Sequence, residues 1–242
     1  MRAIVLAGGR GSRLRPYTVV LPKPLMPVGD RPVLDIVVRQ LRHAGFERLT
    51  VATGYLAELI EAFFGDGSSY GIAIDYFRET RPLGTAGSLA LIDGLDDPFL
   101  VMNGDVLTDL DYRQLLDDHA ASGAIATIAT RRRTVHVPLG VLHFADARDT
   151  TRLTDFEEKP HIDYEASMGV YCFSPKVIEH IEPGEPLDFP DLILRLLAAG
   201  EIVRGWRSDS YWLDIGSHED YEQAQEEFES VRDRLIPPES ES

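Results

Sequence analysis

The sequence predicts an α/β fold of three layers, in which helices cover both faces of a mostly parallel, mixed central sheet. Short apolar runs alternate with amphipathic helical patterns along the first half of the 242 residues, which is typical of βαβ units. The runs are apolar at consecutive positions, as expected of strands buried on both faces. This length suits one large domain, which we assign to residues 1–235, with residues 236–242 as a disordered tail.

The first half of the chain supplies most of the alternating elements. The apolar run Ala3–Leu6 is the first predicted strand. A helix is expected to start at Asp30-Arg31-Pro32, because an aspartate cap precedes an early proline, and to end at Gly45. The other elements of this half are the strand Arg48–Thr53, the helix Leu56–Phe64, the strand Ile72–Phe77, a helix beginning with Ala86–Leu91 and the buried strand Phe99–Met102.

The second half is richer in strands. After a helix at Tyr112–Ala121, the predicted strands are Ala124–Thr130, Leu139–Phe144, Leu153–Phe156 and Ser167–Phe173. A helix at Leu187–Ala199, capped near Asp188, and strands at Ile202–Trp206 and Ser210–Leu213 follow. Residues 218–235 form an acidic helix whose apolar positions suit docking on the body of the domain: Tyr221, Ala224, Phe228, Val231 and Leu235.

The charge of the chain is unevenly distributed. The formal net charge is −16, which argues against nucleic acid as a partner, yet residues 1–48 carry nine basic and three acidic residues. This segment predicts a focused pocket for a small polyanion. No apolar run reaches the ~18 residues of a membrane span, and the single cysteine, Cys172, excludes an intrachain disulfide. We expect a soluble, cytoplasmic protein with no membrane partner, and its surface allows for a homo-oligomer.

The stretch from Gly8 to Pro24, GGRGSRLRPYTVVLPKP, follows the first strand and carries the strongest functional signal. Small residues leave room for backbone N–H groups to approach a polyanion, and glycine allows positive φ where those groups converge. Arg13 lies inside the stretch, and Lys23 lies between two prolines that restrict its backbone. The pattern is neither GxxxxGK[ST] nor GxGxxG, so it predicts a nucleoside triphosphate loop of another type.

Two aspartates are candidate metal ligands. Asp105, in Asn103-Gly104-Asp105, and Asp214 each follow a buried strand. Since ligands bind at the carboxyl ends of the strands in such sheets, both are expected near the glycine-rich loop. Mg²⁺ typically binds one or two carboxylates together with phosphate oxygens and water, so the pair predicts a magnesium site.

Three further clusters carry weaker signals. Asp109-Leu110-Asp111 is formally a DxD metal motif, but the helix that follows makes capping the simpler explanation, and we treat it as structural. Glu79 precedes a glycine- and proline-rich turn, and its carboxylate could accept two hydrogen bonds from guanine; a solvated loop glutamate has comparable weight. Glu158 and Lys159 could bind sugar hydroxyls and a second phosphate.

A run of three arginines, Arg131 to Arg133, has no aromatic residue interleaved with it. We interpret the run as a solvated strand end or a subunit contact, because nucleic-acid surfaces usually combine basic with aromatic residues. The seven histidines are scattered without the spacing of zinc ligands. Neither feature predicts a second catalytic site.

Taken together, these segments resemble the sugar-1-phosphate nucleotidyltransferases, the enzymes that make NDP-sugars. Residues 8–28 match the family signature GGxGxRLxPxTxxxPKPxxPV throughout, with Ser12 where threonine is common. Residues 82–87, PLGTAG, look like the base and ribose segment of the mannose-1-phosphate guanylyltransferase branch. The remaining motifs match in order at 103–105, 156–160, 168–171 and 212–216. The resemblance covers roughly residues 1–225 and implies a Rossmann-like nucleotidyltransferase fold with Mg²⁺ as cofactor.

The resemblance also implies a reaction and a set of site residues. An oxygen of a sugar 1-phosphate attacks the α-phosphorus of an NTP, best matched by GTP, and pyrophosphate leaves. Arg13 and Lys23 are the implied catalytic residues, and Asp105 and Asp214 the implied metal ligands. The implied nucleotide contacts are Leu6, Ala7, Gly8, Gly9, Gly11, Ser12, Arg13, Lys23, Glu79, Pro82, Gly84, Thr85, Ala86, Asn103 and Gly104. The implied sugar-phosphate contacts are Gly140, Glu158, Lys159 and Gly169.

Other functions stay open at this level. Short uridylyltransferases of the superfamily also carry Glu-x-x-Pro-Leu here, so uridylyl or thymidylyl transfer is the nearest alternative, and a mannose, heptose, other hexose or cyclitol phosphate would fit as acceptor. A metal-dependent glycosyltransferase using Asp109 and Asp111 would leave Lys23 without a purpose. A non-catalytic homologue that only binds nucleotide sugars is expected to have lost a phosphate-binding residue or a metal carboxylate, and none is missing.

Overall fold

The structure is a computed structural model that describes residues 1–146 and 149–238. Its strands are β1 (Arg2–Ala7), β2 (Pro27–Val28), β3 (Arg31–Pro32), β4 (Arg48–Thr53), β5 (Ala73–Arg78), β6 (Phe99–Asn103), β7 (Val106–Thr108), β8 (Ala126–His136), β9 (Gly140–Asp146), β10 (Asp149–Glu158), β11 (His161–Phe173), β12 (Val203–Arg207) and β13 (Trp212–Asp214). The α-helices are α1 (Val33–His43), α2 (Ala57–Phe64), α3 (Tyr112–Ser122), α4 (Phe189–Ala198) and α5 (His218–Leu235). Short 3₁₀ helices lie at Ser12–Leu14, Tyr17–Val19, Lys23–Leu25, Ser68–Tyr70, Gly87–Leu91 and Pro175–His180.

Seven strands form the central sheet in the order β12-β8-β11-β6-β1-β4-β5. Every neighbouring pair is parallel except those of β11, which runs antiparallel to both β6 and β8. The sheet is therefore mixed and mostly parallel, which confirms the predicted fold class. Because β1, β4 and β6 are parallel, their carboxyl ends bring Ala7, Thr53 and Asn103 to one edge.

The two faces of the sheet belong to different cores. Alternate residues of β1, such as Ala3 and Val5, pack with side chains of α1, α2 and α3, whereas Ile4 packs with side chains of α4. Alternation along a strand points successive side chains to opposite faces. Each face is thus covered by helices, and the three predicted layers are present.

A third core joins the C-terminal helix to the N-terminal segment. Phe228 and Leu235 of α5 are buried beside Leu14, which lies within the Gly8–Pro24 stretch, and Val28, which follows it. At Gly29, with φ +59, a Cβ would lie 2.1 Å from the Phe228 ring, so only glycine lets the helix approach this closely. The predicted docking of the acidic helix is confirmed, and the structure shows that it docks against the loop that carries the functional signal.

Two predicted helix starts are wrong. Helix α1 begins at Val33 with Pro32 as its N-cap residue and no side-chain cap, because residues 31–32 pair with residues 27–28 as a short ribbon. Asp30 accepts a hydrogen bond from Arg232 instead. The segment beginning at Ala86 is a 3₁₀ helix of five residues, Gly87–Leu91, and not an α-helix.

Strands β8 and β11 are longer than predicted. Beyond the sheet, residues 131–136 continue to pair with residues 161–166 as a two-stranded ribbon, and β9 and β10 form a second antiparallel pair. The side chains of β8 from Arg132 to His136 are exposed. Since neither face of the ribbon is buried, its sequence lacks the apolar pattern by which strands are predicted.

Several remaining expectations concern single residues or segments. Cys172 is fully buried, as predicted, and burial raises the pKa of its thiol. In the described residues no helix is long and apolar enough to cross a membrane. The assignment of residues 1–235 to one domain stays a prediction. So does the disordered tail, of which residues 236–238 follow α5 and residues 239–242 lie outside the described residues.

A buried histidine is expected to make stability depend on pH. His119 is 1% exposed, and its Nδ1 lies 2.8 Å from the Thr127 hydroxyl. Burial lowers its pKa below the ordinary 6.5. In the unfolded chain this histidine takes up a proton near pH 6.5, whereas in the folded chain it does so only at lower pH. The free energy of unfolding should therefore fall as the pH drops from 6.5 towards the folded-state pKa. The slope contributed by this group is at most about 1.4 kcal/mol per pH unit.

Urea unfolding of the wild type and of His119→Gln, at a series of pH values across this window, checks the prediction. The variant cannot titrate at this position, so its stability should vary less with pH. The same pH dependence in both proteins would show that His119 does not control it.

Candidate active site

In the glycine-rich loop, which lies within the stretch Gly8–Pro24, the side chain of Leu14 is buried and that of the neighbouring Arg13 is exposed. After β1, Gly8 and Gly9 lead to Gly11, which has φ +57 and accepts a hydrogen bond from the Thr18 hydroxyl at 2.7 Å. Leu14 is fully buried in the third core, whereas Arg13 is exposed. Arg13 makes no hydrogen bond or ion pair with any described residue. Its guanidinium is therefore held near the loop and remains available to an anion.

Lys23 lies between two carboxylates. Its backbone begins the 3₁₀ segment Lys23–Leu25, in which Pro24 and Leu25 are buried. The ammonium Nζ forms an ion pair with Asp105 and lies 3.9 Å from Asp214 Oδ1. The lysine side chain is only 11% exposed. One cation and two carboxylates thus meet at the carboxyl edge of the sheet, as the sequence predicts.

A short ribbon explains why the two aspartates are close. Strand β7 follows Asp105 and pairs antiparallel with β13, so that Asp214 lies opposite Val106. The Ile215 N–H donates to the Asp105 carbonyl at 3.1 Å. Before Asp105, the Gly104 N–H donates to the Leu6 carbonyl at 2.9 Å, and a Cβ at Gly104 would lie 2.8 Å from that oxygen. Backbone pairing therefore places Asp105 beside the end of β1 and beside Asp214.

The two carboxylates have unsatisfied oxygens. Asp105 Oδ1 and Asp214 Oδ1 are buried, and neither has a hydrogen-bond partner in the part of the chain that the structure describes. Burial raises the pKa of Asp214, the charge of Asp105 adds to the shift, and Lys23 opposes it. A buried carboxylate oxygen without a partner is costly. A hard divalent cation, which prefers oxygen ligands, would satisfy both oxygens at once.

A cavity of about 340 Å³ adjoins this pair. It is lined by Leu6, Gly8, Gly9, Ala52, Glu79, Pro82, Gly84, Thr85, Asn103 and Asp105. All of these residues except Ala52 are predicted site residues. Ala52 lies opposite Leu6 where β4 meets β1. A small residue near the carboxyl end of a neighbouring strand is the signal that would have identified it.

Glu79 is one of the residues that line this cavity, and it lies close to the loop. A Cβ at Gly8 would lie 3.6 Å from Glu79 Oε2, so the carboxylate is a close neighbour of the loop. Burial raises the pKa of Glu79, and the Leu83 N–H opposes the shift. A half-buried carboxylate that faces a cavity suits recognition of N–H donors on a ligand.

The turn after Glu79 is braced by the start of α4. The Thr85 N–H donates to Asp188 Oδ1 at 2.9 Å, and the Phe189 N–H donates to the Thr85 hydroxyl at 2.9 Å. Ala86 is fully buried, and its N–H donates to the Leu187 carbonyl at 2.8 Å. These N–H groups therefore hold the turn in place, and Ala86 supports the cavity from behind. Asp188 lies at the predicted helix cap, but its side chain binds Thr85.

Comparison with known proteins identifies the family. A model of the nucleotidyl transferase family matches residues 2–231. The chain belongs to the nucleotidyl transferase family. It is 36% identical over 243 residues to the UTP–glucose-1-phosphate uridylyltransferase of Synechocystis sp. and 35% identical over 223 residues to the mannose-1-phosphate guanylyltransferase of Mycobacterium tuberculosis. These alignments cover 93% and 90% of the chain but 62% of each relative, so the chain spans under two thirds of their length.

Solved structures agree with this assignment. The fold of the chain is similar to that of HddC from Yersinia pseudotuberculosis, with a TM-score of 0.71 and 26% identity over 94% of the chain and 99% of HddC. A structure of HddC complexed with GMP-PN is similar with a TM-score of 0.70. The predicted resemblance is confirmed. The structure of this nucleotidyl transferase thus accounts for the signature loop, the lysine and the two aspartates of the sequence pattern.

The DxD of this nucleotidyl transferase has structural partners. Asp111 caps α3 by accepting a hydrogen bond from the Gln114 N–H at 2.9 Å. Asp109 accepts a hydrogen bond from Arg234 Nε at 2.7 Å, which ties α5 to the end of β7. The predicted helix capping is thus confirmed for Asp111, whereas the Asp109 side chain binds Arg234 instead of capping the helix; that the DxD has no part in metal binding stays a prediction.

The predicted sugar-phosphate contacts lie in two places. Gly169, with φ +71, is close to Asn103, because a Cβ there would lie 2.8 Å from Asn103 Nδ2. Gly140 and Glu158 are paired on the β9–β10 ribbon, and Lys159 Nζ lies 3.9 Å from Glu158 Oε1. Within residues 1–146 and 149–238, no hydrogen bond or ion pair joins this ribbon group to Asp105 or Asp214.

Proposed function

We propose that this nucleotidyl transferase transfers a nucleotidyl group from an NTP, preferably GTP, to a sugar 1-phosphate, giving an NDP-sugar and pyrophosphate. The observation that carries the proposal is the pair of unsatisfied carboxylate oxygens on Asp105 and Asp214, with Lys23 between them. Asp105 also lines the cavity of about 340 Å³, together with Gly8 and Gly9 of the glycine-rich loop. The similarity to relatives named for sugar-1-phosphate substrates supports the same reaction.

The chemistry requires little covalent work from the protein. A phosphate oxygen of the acceptor forms a bond to the α-phosphorus, and the bond from that phosphorus to the pyrophosphate oxygen breaks. The acceptor is already ionised, so no general base is needed. The main tasks are to position two anions that repel each other and to offset their charge. Lys23 would do so at the α-phosphate, while Arg13 and loop N–H groups would hold the β- and γ-phosphates.

The carboxylate pair fits a resident divalent cation, for which we propose Mg²⁺. Among the described residues no group of three or more His, Cys, Asp or Glu is arranged to hold a metal ion, so the proposal rests on the pair Asp105 and Asp214. Mg²⁺ commonly takes one or two carboxylates and completes its shell with phosphate oxygens and water. When bound, such an ion offsets phosphate charge and orients the reacting groups.

We propose Glu158, Lys159, Gly140 and Gly169 as the acceptor-binding residues, and two features of Lys159 support its place among them. Lys159 adopts φ 47, a left-handed conformation that is costly for a residue with a side chain. Strain of this kind is found most often at functional sites. Its side chain is 60% exposed, so the ammonium is accessible to a phosphate. We further propose that the enzyme acts in the cytoplasm, where its two small-molecule substrates would be available.

Guanine is the base that we propose, because of Glu79. An ionised carboxylate accepts two hydrogen bonds at once and matches the N1–H and N2–H₂ edge of guanine. Uracil and thymine present only one N–H donor, so they gain less from Glu79. A uridylyl or thymidylyl transfer remains the second candidate, and the relative named as a uridylyltransferase is the observation that favours it.

Replacing Glu79 by glutamine tests the choice of base. The amide has one acceptor oxygen, and its NH₂ group faces a guanine donor, so kcat/KM for GTP should fall about 10- to 100-fold while that for UTP changes little. Pyrophosphate release with each NTP measures both values. Equal losses for GTP and UTP would mean that Glu79 has no part in base recognition.

The decisive experiment for the reaction is pyrophosphate release with Mg²⁺, using each of the five common NTPs against a panel of sugar 1-phosphates. We expect release with GTP that depends on one sugar phosphate and is abolished by EDTA. Release with UTP or dTTP alone would correct the base. No release, together with tight binding of an NDP-sugar by calorimetry, would overturn the proposal in favour of a non-catalytic nucleotide-sugar-binding protein.

A further inference from the structure

A second cleft opens on the other side of Asp214. Its volume is about 490 Å³, within the range of small-molecule sites. It is lined by Arg13, Arg131, Arg133, Tyr211, Trp212, Leu213, Asp214, Gly216, Asp220, Gln223 and Glu227. Arg13 and Asp214 also belong to the proposed site, so the cleft adjoins the carboxylate pair.

Three guanidinium groups of this cleft have donors to spare. Arg13 and Arg133 make no hydrogen bond or ion pair with the residues that the structure describes. Arg131 donates from one nitrogen to the Ser210 carbonyl. A guanidinium carries five N–H donors, so most donors of the three side chains lack a protein acceptor. Arginines with unused donors in a cleft are suited to binding phosphate groups.

The position of Arg133 is fixed by an aromatic ring. Its guanidinium lies over the ring of Trp212, 5.1 Å from the ring centroid. The indole Nε1 donates to the Met168 carbonyl at 2.8 Å, which holds the ring in place. Stacking of this kind leaves the edge of the guanidinium free for hydrogen bonds. Arg133 of β8 thus lies over Trp212, which precedes Asp214 by two residues on β13.

The other wall of the cleft is acidic and belongs to α5. Asp220 accepts a hydrogen bond from the Ser217 hydroxyl at 2.7 Å, and Glu227 accepts one from Gln223 at 2.8 Å. Neither pairs with an arginine of the opposite wall. A ligand bound to the arginines would face these carboxylates across the cleft. Their charge would repel a bound anion and lower its affinity.

We infer that this cleft binds the pyrophosphate product, with Arg131 and Arg133 extending the phosphate-binding surface that starts at Arg13. The inference rests on the proposed function, because pyrophosphate is the leaving group of that reaction. Once the bond to the α-phosphorus breaks, pyrophosphate carries the electron pair of that bond and lies beside Arg13. The cleft offers it a cationic route away from the carboxylate pair.

Calorimetric titration of magnesium pyrophosphate into the full chain tests the inference without any turnover. In Arg133→Gln the loss of a charge-assisted pair should weaken binding about tenfold. Arg132→Gln is the matched control: this neighbouring arginine pairs with Asp163 and does not line the cleft. Arg131→Lys keeps the charge but removes the planar fork, and should also weaken binding. Circular dichroism and thermal unfolding establish that each variant is folded.

The inference predicts how pyrophosphate binding differs between the cleft variants and the control. Weaker pyrophosphate binding in both cleft variants, with unchanged binding in the control and unchanged affinity for a sugar 1-phosphate, supports the inference. Pyrophosphate binding equal to that of the control, or no binding in the wild type, would overturn it. A loss of sugar-phosphate affinity alone would overturn it too, because the cleft would then serve a distal group of the acceptor. Failure of the NTP panel would not affect this readout, so the two proposals fail separately.

Discussion

Asp105→Asn is expected to lower kcat/KM for nucleotidyl transfer about 10²- to 10³-fold, a typical cost of removing one charged partner from such a site. The amide keeps the shape of the side chain but cannot supply the anionic oxygen that lies buried and unsatisfied in the wild type. Affinity for Mg²⁺ should fall with activity, so high Mg²⁺ should restore part of the rate. Steady-state kinetics over a Mg²⁺ series measures both effects.

Asp109→Asn is the matched control for this variant. Asp109 lies four residues further along, and its carboxylate binds Arg234 rather than the site. The control should retain activity within a few-fold of the wild type, with a small loss of stability from the broken ion pair. If Asp109→Asn were the inactive protein and Asp105→Asn the active one, the DxD would be the metal site and the proposed reaction would be wrong.

Lys23→Ala is expected to produce a loss of similar size, about 10²- to 10³-fold in kcat/KM. The Lys23 ammonium forms an ion pair with both carboxylates, and it lies where a negatively charged α-phosphate would have to approach them. Without it, two carboxylates and two phosphates would share the site with one cation fewer. Pyrophosphate release under saturating Mg²⁺ measures the change.

Lys176→Ala serves as the control for charge and residue type. That lysine pairs with Glu201 on the surface, and its side chain is 57% exposed. Its variant should match the wild type in activity, and both lysine variants should unfold at nearly the same urea concentration. Near-normal turnover in a folded Lys23→Ala protein would remove the lysine from the mechanism and weaken the whole assignment.

The central part of the site could be predicted because it depends on local chain geometry. Asp105 and Asp214 each follow an apolar strand, and parallel strands bring their carboxyl ends to one edge. The loop signature is likewise a continuous stretch, and Gly11 adopts the positive φ that glycine allows there. Buried strands such as β4, Arg48–Thr53, were predicted to the residue because apolar side chains mark them.

Other features depend on contacts between distant segments and leave no local pattern. In the sequence, Arg133 is one of three consecutive arginines with no sign of a partner. In the structure, its guanidinium lies over the ring of Trp212 from β13. The sequence predicts that the Asp188 side chain caps a helix. In the structure, it accepts a hydrogen bond from Thr85, which lies about a hundred residues earlier. The ribbon extension of β8 was underestimated because its exposed side chains follow no apolar alternation.

The packing of α5 against the loop has a consequence for the order of folding. The Tyr221 hydroxyl donates to the Pro27 carbonyl, and the Gly29 N–H donates to Gln225, across 194 and 196 residues of sequence. Contacts of such long sequence separation form late, because closing a long loop costs entropy before any contact is gained. During synthesis, the glycine-rich loop leaves the ribosome early but lacks the support of α5 until that helix emerges. We expect a nascent chain to acquire nucleotide binding only after α5 has been synthesised.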